Sequence, residues 1–254
     1  MPELALTRHV PSSFAHALAA AVPDAPIDVA QARAQHAGYR AALASLGLEV
    51  RVLDADDAHP DCCFVEDTAV VAAGVALVTH PGAPSRRGEV GPVAAALAEL
   101  GVTIARVEAP ATLDGGDCMR VGSTLYVGRS ARTNAAGIAR LAEVFEPRGL
   151  RVVAIELPPG VLHLKCACAP LGDDAITHAV PLPREPFRGL SLVAIPEVES
   201  YAANVLAIGR RVIVPAGFAR TADLLARAGY EPVPLATTEL RKADGALTCL
   251  SIII

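Results

Sequence analysis

The sequence predicts an α/β fold assembled from a repeated unit of two strands, a helix and a third strand. Apolar residues make up 52% of the 254-residue chain and aromatic residues only 4%. Small and branched apolar side chains suit the close packing of helices on sheets. Four glycines, each in a turn between two apolar strands, lie roughly 48, 50 and 37 residues apart, at Gly74, Gly122, Gly172 and Gly209. Repeats of this length are typical of structural arrays and propellers, and glycine suits a tight hairpin turn.

The first part of the chain predicts a strand, a helix and a second strand. Alternating apolar residues indicate a strand at 3–10, and residues 49–53 indicate another. The apolar period over residues 28–46 predicts a helix that ends before Gly47. Between the first strand and this helix, the Ala-rich segment up to Pro26 is broken by prolines, and we expect it to form a mobile flap.

Four repeat units follow between residues 64 and 234. Their hairpins are predicted at 64–79, 117–127, 162–180 and 203–214, and their closing strands at 102–107, 151–156, 191–195 and 231–234. Helices are predicted at 89–100, 134–148 and 221–228, with only a weak helical pattern in the third unit, at 183–187. The strands at 3–10 and 247–254 remain, and we expect them to combine as a fifth unit that closes a ring. Because the composition shows no break, the sequence predicts a single domain over residues 1–254.

Charge and hydropathy exclude several classes of function. The formal net charge of −5 offers no positive surface for nucleic acid or for an anionic membrane. No stretch reaches the roughly 18 uncharged apolar residues of a membrane helix. The first nine residues also lack the charged start and apolar core of a signal peptide. We therefore expect a cytoplasmic protein that binds neither nucleic acid nor membranes.

The six cysteines do not predict a disulfide framework or a metal site. A chain of this length without a secretion signal needs no disulfides to fold. The spacing of His163, Cys166 and Cys168 matches no common zinc signature, and within one strand the two cysteines would share a face. We expect no metal and no cofactor, and most of the thiols to be small buried apolar residues.

Acidic residues cluster at the start of the first hairpin. Asp61 precedes it, and Glu66 and Asp67 are adjacent within an otherwise apolar run. Because neighbouring strand residues face opposite sides, we expect these two carboxylates to have different environments. A solvated acid pair at an edge or in a loop is the alternative interpretation.

Two further loops carry charged residues beside glycines. Arg86 and Arg87 lie between a turn and a helix start, and an arginine fork suits a carboxylate or a phosphate; a surface pair beside Glu89 is the alternative. Asp114 and Asp117 flank a Gly-Gly turn, where the backbone can approach a ligand closely. This turn is not a nucleotide loop, because neither Gly-x-Gly-x-x-Gly nor Gly-Lys-Ser/Thr is present.

His163 and Cys249 each stand in an apolar context, where a core residue is the more common interpretation. The combination of both residues with an acid favours a catalytic interpretation instead. A thiolate that attacks, an imidazole that moves a proton and a carboxylate that orients them are what thiol-based nucleophilic catalysis requires. These three groups come from different predicted hairpins, and the arginines could hold a substrate carboxylate. The combination favours an enzyme with Cys249 as its nucleophile.

Seven segments in one order along the chain resemble the dimethylarginine dimethylaminohydrolase family of the guanidine-modifying (pentein) superfamily. They are FVED at 64–67, PGAPSRRGE at 81–89, LDGGD at 113–117, SARTN at 130–134, LHLK at 162–165, AAN at 202–204 and DGALTC at 244–249. The resemblance covers essentially the whole chain. It implies a five-bladed α/β propeller of ββαβ units with pseudo-fivefold symmetry, whose fifth unit is closed by the two chain termini.

The resemblance implies hydrolysis of Nω-methylated arginines, asymmetric dimethylarginine and monomethylarginine, to L-citrulline and dimethylamine or methylamine. Cys249 would attack the guanidinium carbon, and water would hydrolyse the resulting S-alkylthiouronium intermediate. His163 would protonate the departing amine and then activate the water. No cofactor is implied, and propellers of this size occur as monomers and homodimers.

The resemblance also implies a set of substrate contacts. Asp67 and Asp114 would hold the guanidinium nitrogens, since a cationic substrate needs opposite charge in a closed pocket. Arg86 and Arg132 would grip the α-carboxylate. Four more positions match substrate-contacting residues of the family: Leu18, Asp61, Glu66 and Ala243. The first and last of these would act through backbone groups.

Two alternatives stay open at this point. Arginine deiminase, or a related guanidino or ureido hydrolase, would share the cysteine, histidine and acid. Its relatives usually carry an acid two residues after the histidine, where this chain has Lys165, a cation that would repel an unsubstituted guanidinium. The other alternative is a non-catalytic binding protein that has kept the fold.

Overall fold

The computed structural model describes residues 3–254 and is an α/β structure with five separate three-stranded sheets. Within this range the strands are β1 (Leu4–Arg8), β2 (Glu49–Leu53), β3 (Ala69–Ala72), β4 (Val75–Val78), β5 (Thr103–Arg106), β6 (Cys118–Val121), β7 (Thr124–Arg129), β8 (Arg151–Glu156), β9 (Cys168–Pro170), β10 (Ala175–His178), β11 (Ser191–Ala194), β12 (Leu206–Ile208), β13 (Arg211–Pro215), β14 (Glu231–Leu235) and β15 (Ile252–Ile253). The α-helices are α1 (Val29–Ser45), α2 (Val90–Glu99), α3 (Ala135–Phe145), α4 (Ala219–Arg227) and α5 (Thr238–Arg241). No helix of the described residues has the length and apolar character needed to span a membrane.

Every sheet combines an antiparallel pair of strands with a third strand in parallel. In the first repeat unit β3 and β4 are antiparallel, and β5 runs parallel to β4. The sheets β6-β7-β8, β9-β10-β11 and β12-β13-β14 repeat this arrangement. In the remaining sheet β15 pairs antiparallel with β1, and β2 pairs parallel with β1. The two ends of the chain therefore share one sheet, as predicted.

The hairpin glycines and the crossover helices account for the repeat. All four glycines have a positive φ, which is 74° at Gly74 and 125° at Gly172, and residues with a side chain rarely adopt this conformation. Asp28 caps α1 by accepting a hydrogen bond from the amide of Gln31 at 3.0 Å, and Asn134 caps α3 in the same way. The third unit has a 3₁₀ turn, Glu185–Phe187, in place of a helix, in agreement with its weak pattern.

A 3₁₀ turn precedes the first strand of each hairpin and also precedes β15. These turns are Val65–Thr68, Gly115–Asp117, Leu164–Cys166, Glu197–Ala203 and Thr248–Leu250. The predicted strands that began at residues 64 and 162 are therefore wrong at their start, since β3 begins at Ala69 and β9 at Cys168. Hydrogen bonds to the turn explain the difference: the Thr68 hydroxyl donates to the carbonyl of Val65 at 2.7 Å, and the amide of Leu164 donates to a distant carboxylate.

The corrected turns change two expectations. Glu66 and Asp67 lie in a turn, so strand alternation is not the reason that their environments differ. Cys166 ends the third turn and is exposed, whereas Cys168 begins β9 and is buried, so the two cysteines do not share a strand face.

Candidate active site

A pocket of about 180 Å³ opens where several of the 3₁₀ turns meet. Eight of the ten residues predicted to form the site line it: Leu18, Asp61, Asp67, Arg86, Arg132, His163, Ala243 and Cys249. The other two residues lie elsewhere. Asp114 is fully buried in contact with His163, outside the pocket lining, and Glu66 faces a second cavity.

The imidazole of His163 is held by two buried carboxylates. Its Nε2 lies 3.1 Å from Asp114 Oδ2, within hydrogen-bonding distance, and its Nδ1 lies 4.0 Å from Asp67 Oδ1. Burial opposes the charged form of the ring, but Asp67, the hydrogen bond to Asp114 and nearby Asp117 outweigh it and raise the pKa of His163 to about 9. The imidazole is therefore a cation at neutral pH.

Asp67 connects this histidine to an arginine. Arg86 Nη1 donates to Asp67 Oδ2 at 2.5 Å, and the amide of Gly116 donates to the other carboxylate oxygen at 2.8 Å. Burial alone would raise the pKa of Asp67, yet His163 and Arg86 lower it to about 2. The carboxylate is thus ionised and has its charge fixed beside the pocket.

Cys249 sits half-buried in the last 3₁₀ turn, next to β15. Burial raises the pKa of its thiol well above the usual value, and the negative charges of Glu66 and Asp67 raise it further. Without a ligand the sulfur is therefore a neutral thiol. A cation that enters the pocket would act in the opposite direction and favour the thiolate.

The two arginines of the pocket differ in how many protein groups their guanidinium groups bind. Arg86 is buried, and besides Asp67 it binds Glu89 through Nε and Nη2 and the carbonyl of Phe64 through Nη2. The alternative of a surface arginine beside Glu89 is wrong for Arg86. Arg132 is more accessible, and its Nη1 lies 3.9 Å from Asp114 Oδ2. Arg132 thus has the freer guanidinium for a ligand.

The chain segment that carries Leu18 covers one side of the pocket. The amide of Leu18 donates to Asp61 Oδ1 at 3.0 Å, and the amide of Ala20 donates to Asp244 Oδ2 at 2.5 Å. Residues 17–27 form neither helix nor strand. Two acids from distant parts of the chain therefore fix this segment over the pocket through its backbone.

Comparison with known proteins identifies the family. A family model described as "N,N dimethylarginine dimethylhydrolase, eukaryotic" matches residues 19–178. The chain is 43% identical to the N(G),N(G)-dimethylarginine dimethylaminohydrolase of Streptomyces coelicolor, over 98% of this chain and 95% of that protein. It is 39% identical to the enzyme of the same name from Pseudomonas aeruginosa, over 89% of each chain. The chain belongs to the dimethylarginine dimethylaminohydrolase family.

Solved structures agree with this assignment. A cysteine-to-serine mutant of dimethylarginine dimethylaminohydrolase from Pseudomonas aeruginosa, complexed with citrulline, superposes with a TM-score of 0.95 at 36% identity, and all of both chains is covered. A dimethylarginine dimethylaminohydrolase adduct with S-methyl-L-thiocitrulline superposes equally well, at 35% identity over both full chains. The N-terminal domain of a cyanobacterial arginine dihydrolase shares the fold at a TM-score of 0.89 and 17% identity.

Glu66 does not reach the pocket of this family member. Its carboxylate forms an ion pair with the buried ammonium of Lys165 and accepts a hydrogen bond from the Thr248 hydroxyl at 2.7 Å. Burial is the largest influence on the pKa of Glu66 and raises it, although Lys165 and Thr248 oppose the shift. The pair borders a second cavity, of about 230 Å³. Lys165 is therefore neutralised and does not line the pocket around Cys249.

Two buried residues support the site although the sequence assigned neither of them a role in it. Asp117 accepts hydrogen bonds from the amide of Leu164 at 3.0 Å and from the hydroxyl of Ser130 at 2.6 Å. Asn204 bonds the amide and hydroxyl of Thr248, the residue before Cys249. Both belong to the segments that carry the family resemblance, LDGGD and AAN, but their partners lie more than ten residues away, so no local pattern assigns them a role.

Glycines let the backbone of one turn approach the site closely. A Cβ on Gly116 would lie 2.7 Å from Asp67 Oδ1 and 2.7 Å from His163 Nδ1. A Cβ on Gly115 would lie 1.9 Å from the carbonyl oxygen of Glu66. The Gly-Gly turn thus approaches protein groups of the site, where the sequence had suggested a ligand.

Within residues 3–254, one group of side chains has the ligand types that a metal ion needs. Asp67, Asp114 and His163 place potential ligand atoms within 4.8 Å of one another. Their oxygens already bind Arg86, the amides of Gly82 and Gly116, and His163 itself. The potential ligand atoms are therefore already used in hydrogen bonds within the protein. The expectation that no metal binds stays a prediction.

Proposed function

We propose that this protein hydrolyses Nω-methylated arginines to L-citrulline and dimethylamine or methylamine. The observation that carries the proposal is the pocket in which Cys249, a cationic His163 and an ionised Asp67 face the same space. The thiol supplies a nucleophile, the histidine an acid, and the aspartate a counter-charge for a guanidinium. Two relatives are named as enzymes of this reaction, and a structurally similar protein has been solved in complex with citrulline, which supports the same reaction.

The proposed reaction has two steps. The Cys249 thiolate attacks the guanidinium carbon, a carbon–sulfur bond forms, and the bond to the methylated nitrogen breaks as His163 donates a proton to the leaving amine. Neutral His163 then takes a proton from water, whose oxygen attacks the carbon of the S-alkylthiouronium intermediate. The carbon–sulfur bond breaks as the hydroxyl proton of the adduct passes to the sulfur, and citrulline leaves with that oxygen as its ureido carbonyl.

We assign the acids different roles. Asp67 lines the pocket and would bind the guanidinium nitrogens directly. Asp114 does not line the pocket and contacts His163, so we propose that it orients the imidazole and holds its proton. This assignment modifies the expectation that Asp114 touches the guanidinium.

The far end of the substrate would meet the arginines and the flap. Arg132 would bind the α-carboxylate with its freer guanidinium, and Arg86 would add the N–H of Nη1 that does not bind Asp67. Leu18 and Ala243 would contribute backbone groups, and Asp61 would hold the flap closed through the amide of Leu18. A contact from Glu66 would have to come from its backbone, because its carboxylate is committed to Lys165.

The substrate itself would activate the nucleophile. The free thiol has a raised pKa because it is buried near Glu66 and Asp67. A guanidinium bound at Asp67 would place a positive charge beside the sulfur and lower this pKa. The thiol would then release its proton to solvent only when a substrate is present, because His163 is already protonated.

We further propose that the five sheets form one closed propeller of ββαβ units over residues 1–254. Hydrogen bonds that link each unit to the next support this. The amide of Gly116 donates to Asp67, the amide of Leu164 to Asp117, Asn204 to the carbonyl of Lys165, the amide of Thr248 to Asn204, and the hydroxyl of Thr248 to Glu66. The series returns to the unit in which it began. A cytoplasmic location and a monomeric or homodimeric state stay predictions.

Arginine deimination is the second candidate because one observation favours it. Lys165 was expected to repel an unsubstituted guanidinium, but its ammonium is paired with Glu66 and lies outside the lining of the pocket. The structure therefore removes a barrier to unsubstituted arginine. Only the substituent on the guanidinium distinguishes the two reactions.

A product assay separates the candidates. Purified protein is incubated with asymmetric dimethylarginine and, separately, with arginine, and citrulline, dimethylamine and ammonia are measured. We expect citrulline and dimethylamine in equal amounts from the first substrate and little ammonia from the second. Faster release of ammonia from arginine would instead support deimination, and turnover of neither substrate would favour a non-catalytic binding protein.

A further inference from the structure

Another polar pocket lies between α1 and the sheet that contains both chain ends. It is separate from the active site and from the cavity beside Glu66. Its volume is about 310 Å³, at the lower end of the roughly 300–1,000 Å³ of small-molecule sites. It is lined by His9, Val10, Arg33, His36, Arg40 and Ala55. His9 follows β1 and Ala55 follows β2, two parallel strands joined by α1. The pocket thus occupies the carboxyl ends of parallel strands, where α/β sheets commonly bind ligands.

The α1 side of this pocket presents three basic side chains on one face. Arg33, His36 and Arg40 are spaced by three and four residues, which places them on the same side of a helix. The surroundings are positive enough to affect the histidine: burial, then Arg40 and His9, lower the pKa of His36 to about 3. The ring is therefore a neutral donor or acceptor at neutral pH.

Polar atoms at this pocket are buried without a partner. Among the described residues, His36 Nε2 and Arg40 Nε are buried and make no hydrogen bond, and His36 is 1% exposed. Buried polar atoms are normally satisfied, so atoms without partners in a pocket wall point to a group that binds there.

The nearby acids have partners of their own. Asp56 lies 3.4 Å from Arg8 and 2.8 Å from His59, and Asp57 accepts a hydrogen bond from the amide of Ser12 at 2.6 Å. The hydrogen bonds from Ser12, with a smaller contribution from the charge of Arg33, lower the pKa of Asp57. Arg33 uses its Nε to bind the carbonyl of Val10 at 3.1 Å, which leaves the Nη groups for a ligand. The pocket is therefore basic and holds donors that a negatively charged group would satisfy.

We propose that this pocket is a binding site for a small oxyanion, a phosphate or carboxylate group held by Arg33, His36 and Arg40. The forked guanidinium groups match the two oxygens of either anion, and a neutral His36 with its proton on Nε2 adds a third donor. None of the residues that line this pocket lines the active-site pocket. The site would hold an anion independently of the methylarginine substrate.

Thermal unfolding with added anions tests the proposal. The whole protein is titrated with inorganic phosphate and, separately, with acetate, at constant ionic strength maintained with chloride. We expect the Tm to rise in a saturable way with at least one anion. The double variant Arg33→Met, Arg40→Met should weaken that anion's apparent affinity by about tenfold or more, since the neutral side chains keep the apolar stems and lose the charge.

Two matched variants locate the effect. Arg227→Met removes one charge from the exposed last turn of α4, and Arg132→Met removes the accessible arginine of the active-site pocket. Both should keep the anion-dependent rise in Tm. Equal affinity in the double variant, loss of binding in Arg132→Met, or no saturable response to either anion would overturn the proposal.

A crystal of the unmodified protein provides a measurement that does not depend on how the variants fold. Crystals are soaked with selenate, a tetrahedral oxyanion, and the anomalous signal of selenium is mapped. We expect a peak between the side chains of Arg33, His36 and Arg40. Peaks only elsewhere, with this pocket unoccupied, would show that the basic face does not select an oxyanion.

Discussion

Opposite charges packed side by side decide the protonation of the active-site residues. His163 stays cationic because Asp67 and Asp114 flank it, and Asp67 stays anionic because Arg86 and His163 flank it. Cys249 is neutral because it is buried and because its neighbours Glu66 and Asp67 are acidic. The resting site is thus a thiol beside an imidazolium. This arrangement suits a reaction in which the histidine first acts as an acid.

Titration of His163 tests this account of the imidazole. NMR of ring-labelled protein should give a pKa of about 9 in the unmodified chain, and Asp114→Asn should lower it because the hydrogen-bonded carboxylate loses its charge. Asp174→Asn, at an exposed aspartate, should leave it unchanged. Because the folded pKa exceeds the ordinary value of 6.5, His163 stabilises the fold fully below pH 6.5 and loses this contribution as the pH rises through about 9. A titration near 6.5 would contradict the account.

The reactivity of Cys249 should depend on charge in the pocket. We expect the rate of thiol alkylation to rise only at pH values well above 9 in free protein, and at lower pH when a non-reactive guanidinium analogue of arginine is bound. The measurement is the pH profile of inactivation by iodoacetamide, with and without the analogue. Identical profiles would count against activation by the substrate.

At the scale of elements, the 3₁₀ turns before the inner strands carry the chemistry. Asp67 lies within one turn and Cys249 within another, while Asp114 and His163 immediately precede theirs. A turn at the start of a short strand fixes the direction of its side chains and can place them in the space between sheets. The sequence predicted the strands but not these turns, because contacts that hold them in place, such as the bond from the Leu164 amide to Asp117, come from residues far away in the chain.

The flap should depend on Asp244, which holds the amide of Ala20. Asp244 has a φ of 54°, a conformation that glycine adopts without strain. Asp244→Gly therefore removes the carboxylate and leaves the backbone conformation accessible. We expect this variant to raise KM about fivefold through the loss of roughly 1 kcal/mol of hydrogen bonding, and to speed proteolytic cleavage within residues 17–27. Asp244→Asn keeps an acceptor oxygen and should restore most of both properties. If the glycine variant has the KM and the cleavage rate of the original protein, contacts other than Asp244 hold the flap.

At the scale of the whole molecule, hydrogen bonds between buried polar groups link one unit to another. Repeat spacing and hairpin glycines predicted the units, and the leftover strands predicted that both ends share a sheet. The pairing of Glu66 with Lys165 and the enclosure of Arg86 by Asp67 and Glu89 were not predictable. Each depends on which side chains meet after the units assemble, and local pattern contains no such information.

Asn204 tests how far the site depends on this assembly. Its side chain bonds Lys165 and Thr248, so Asn204→Ala leaves buried polar groups without partners and should cost about 3 kcal/mol in the free energy of unfolding. We expect kcat/KM to fall as well, because Thr248 adjoins Cys249. Tyr230→Phe, which removes a hydrogen bond to the Leu171 carbonyl away from the pocket, should cost about 1 kcal/mol and leave kcat/KM unchanged. Urea unfolding and initial rates measure both, and equal effects of the two variants on activity would contradict the prediction.

The most direct test of the central claim is the release of dimethylamine from asymmetric dimethylarginine by Cys249→Ser. The account predicts that this variant folds like the original and releases none above background, whereas single serine replacements of the other five cysteines remain active: Cys62, Cys63, Cys118, Cys166 and Cys168. Circular dichroism and the Tm verify the fold of each variant. Turnover by Cys249→Ser, or loss of turnover in a folded variant at one of the other five, would show that the nucleophile has been assigned to the wrong residue.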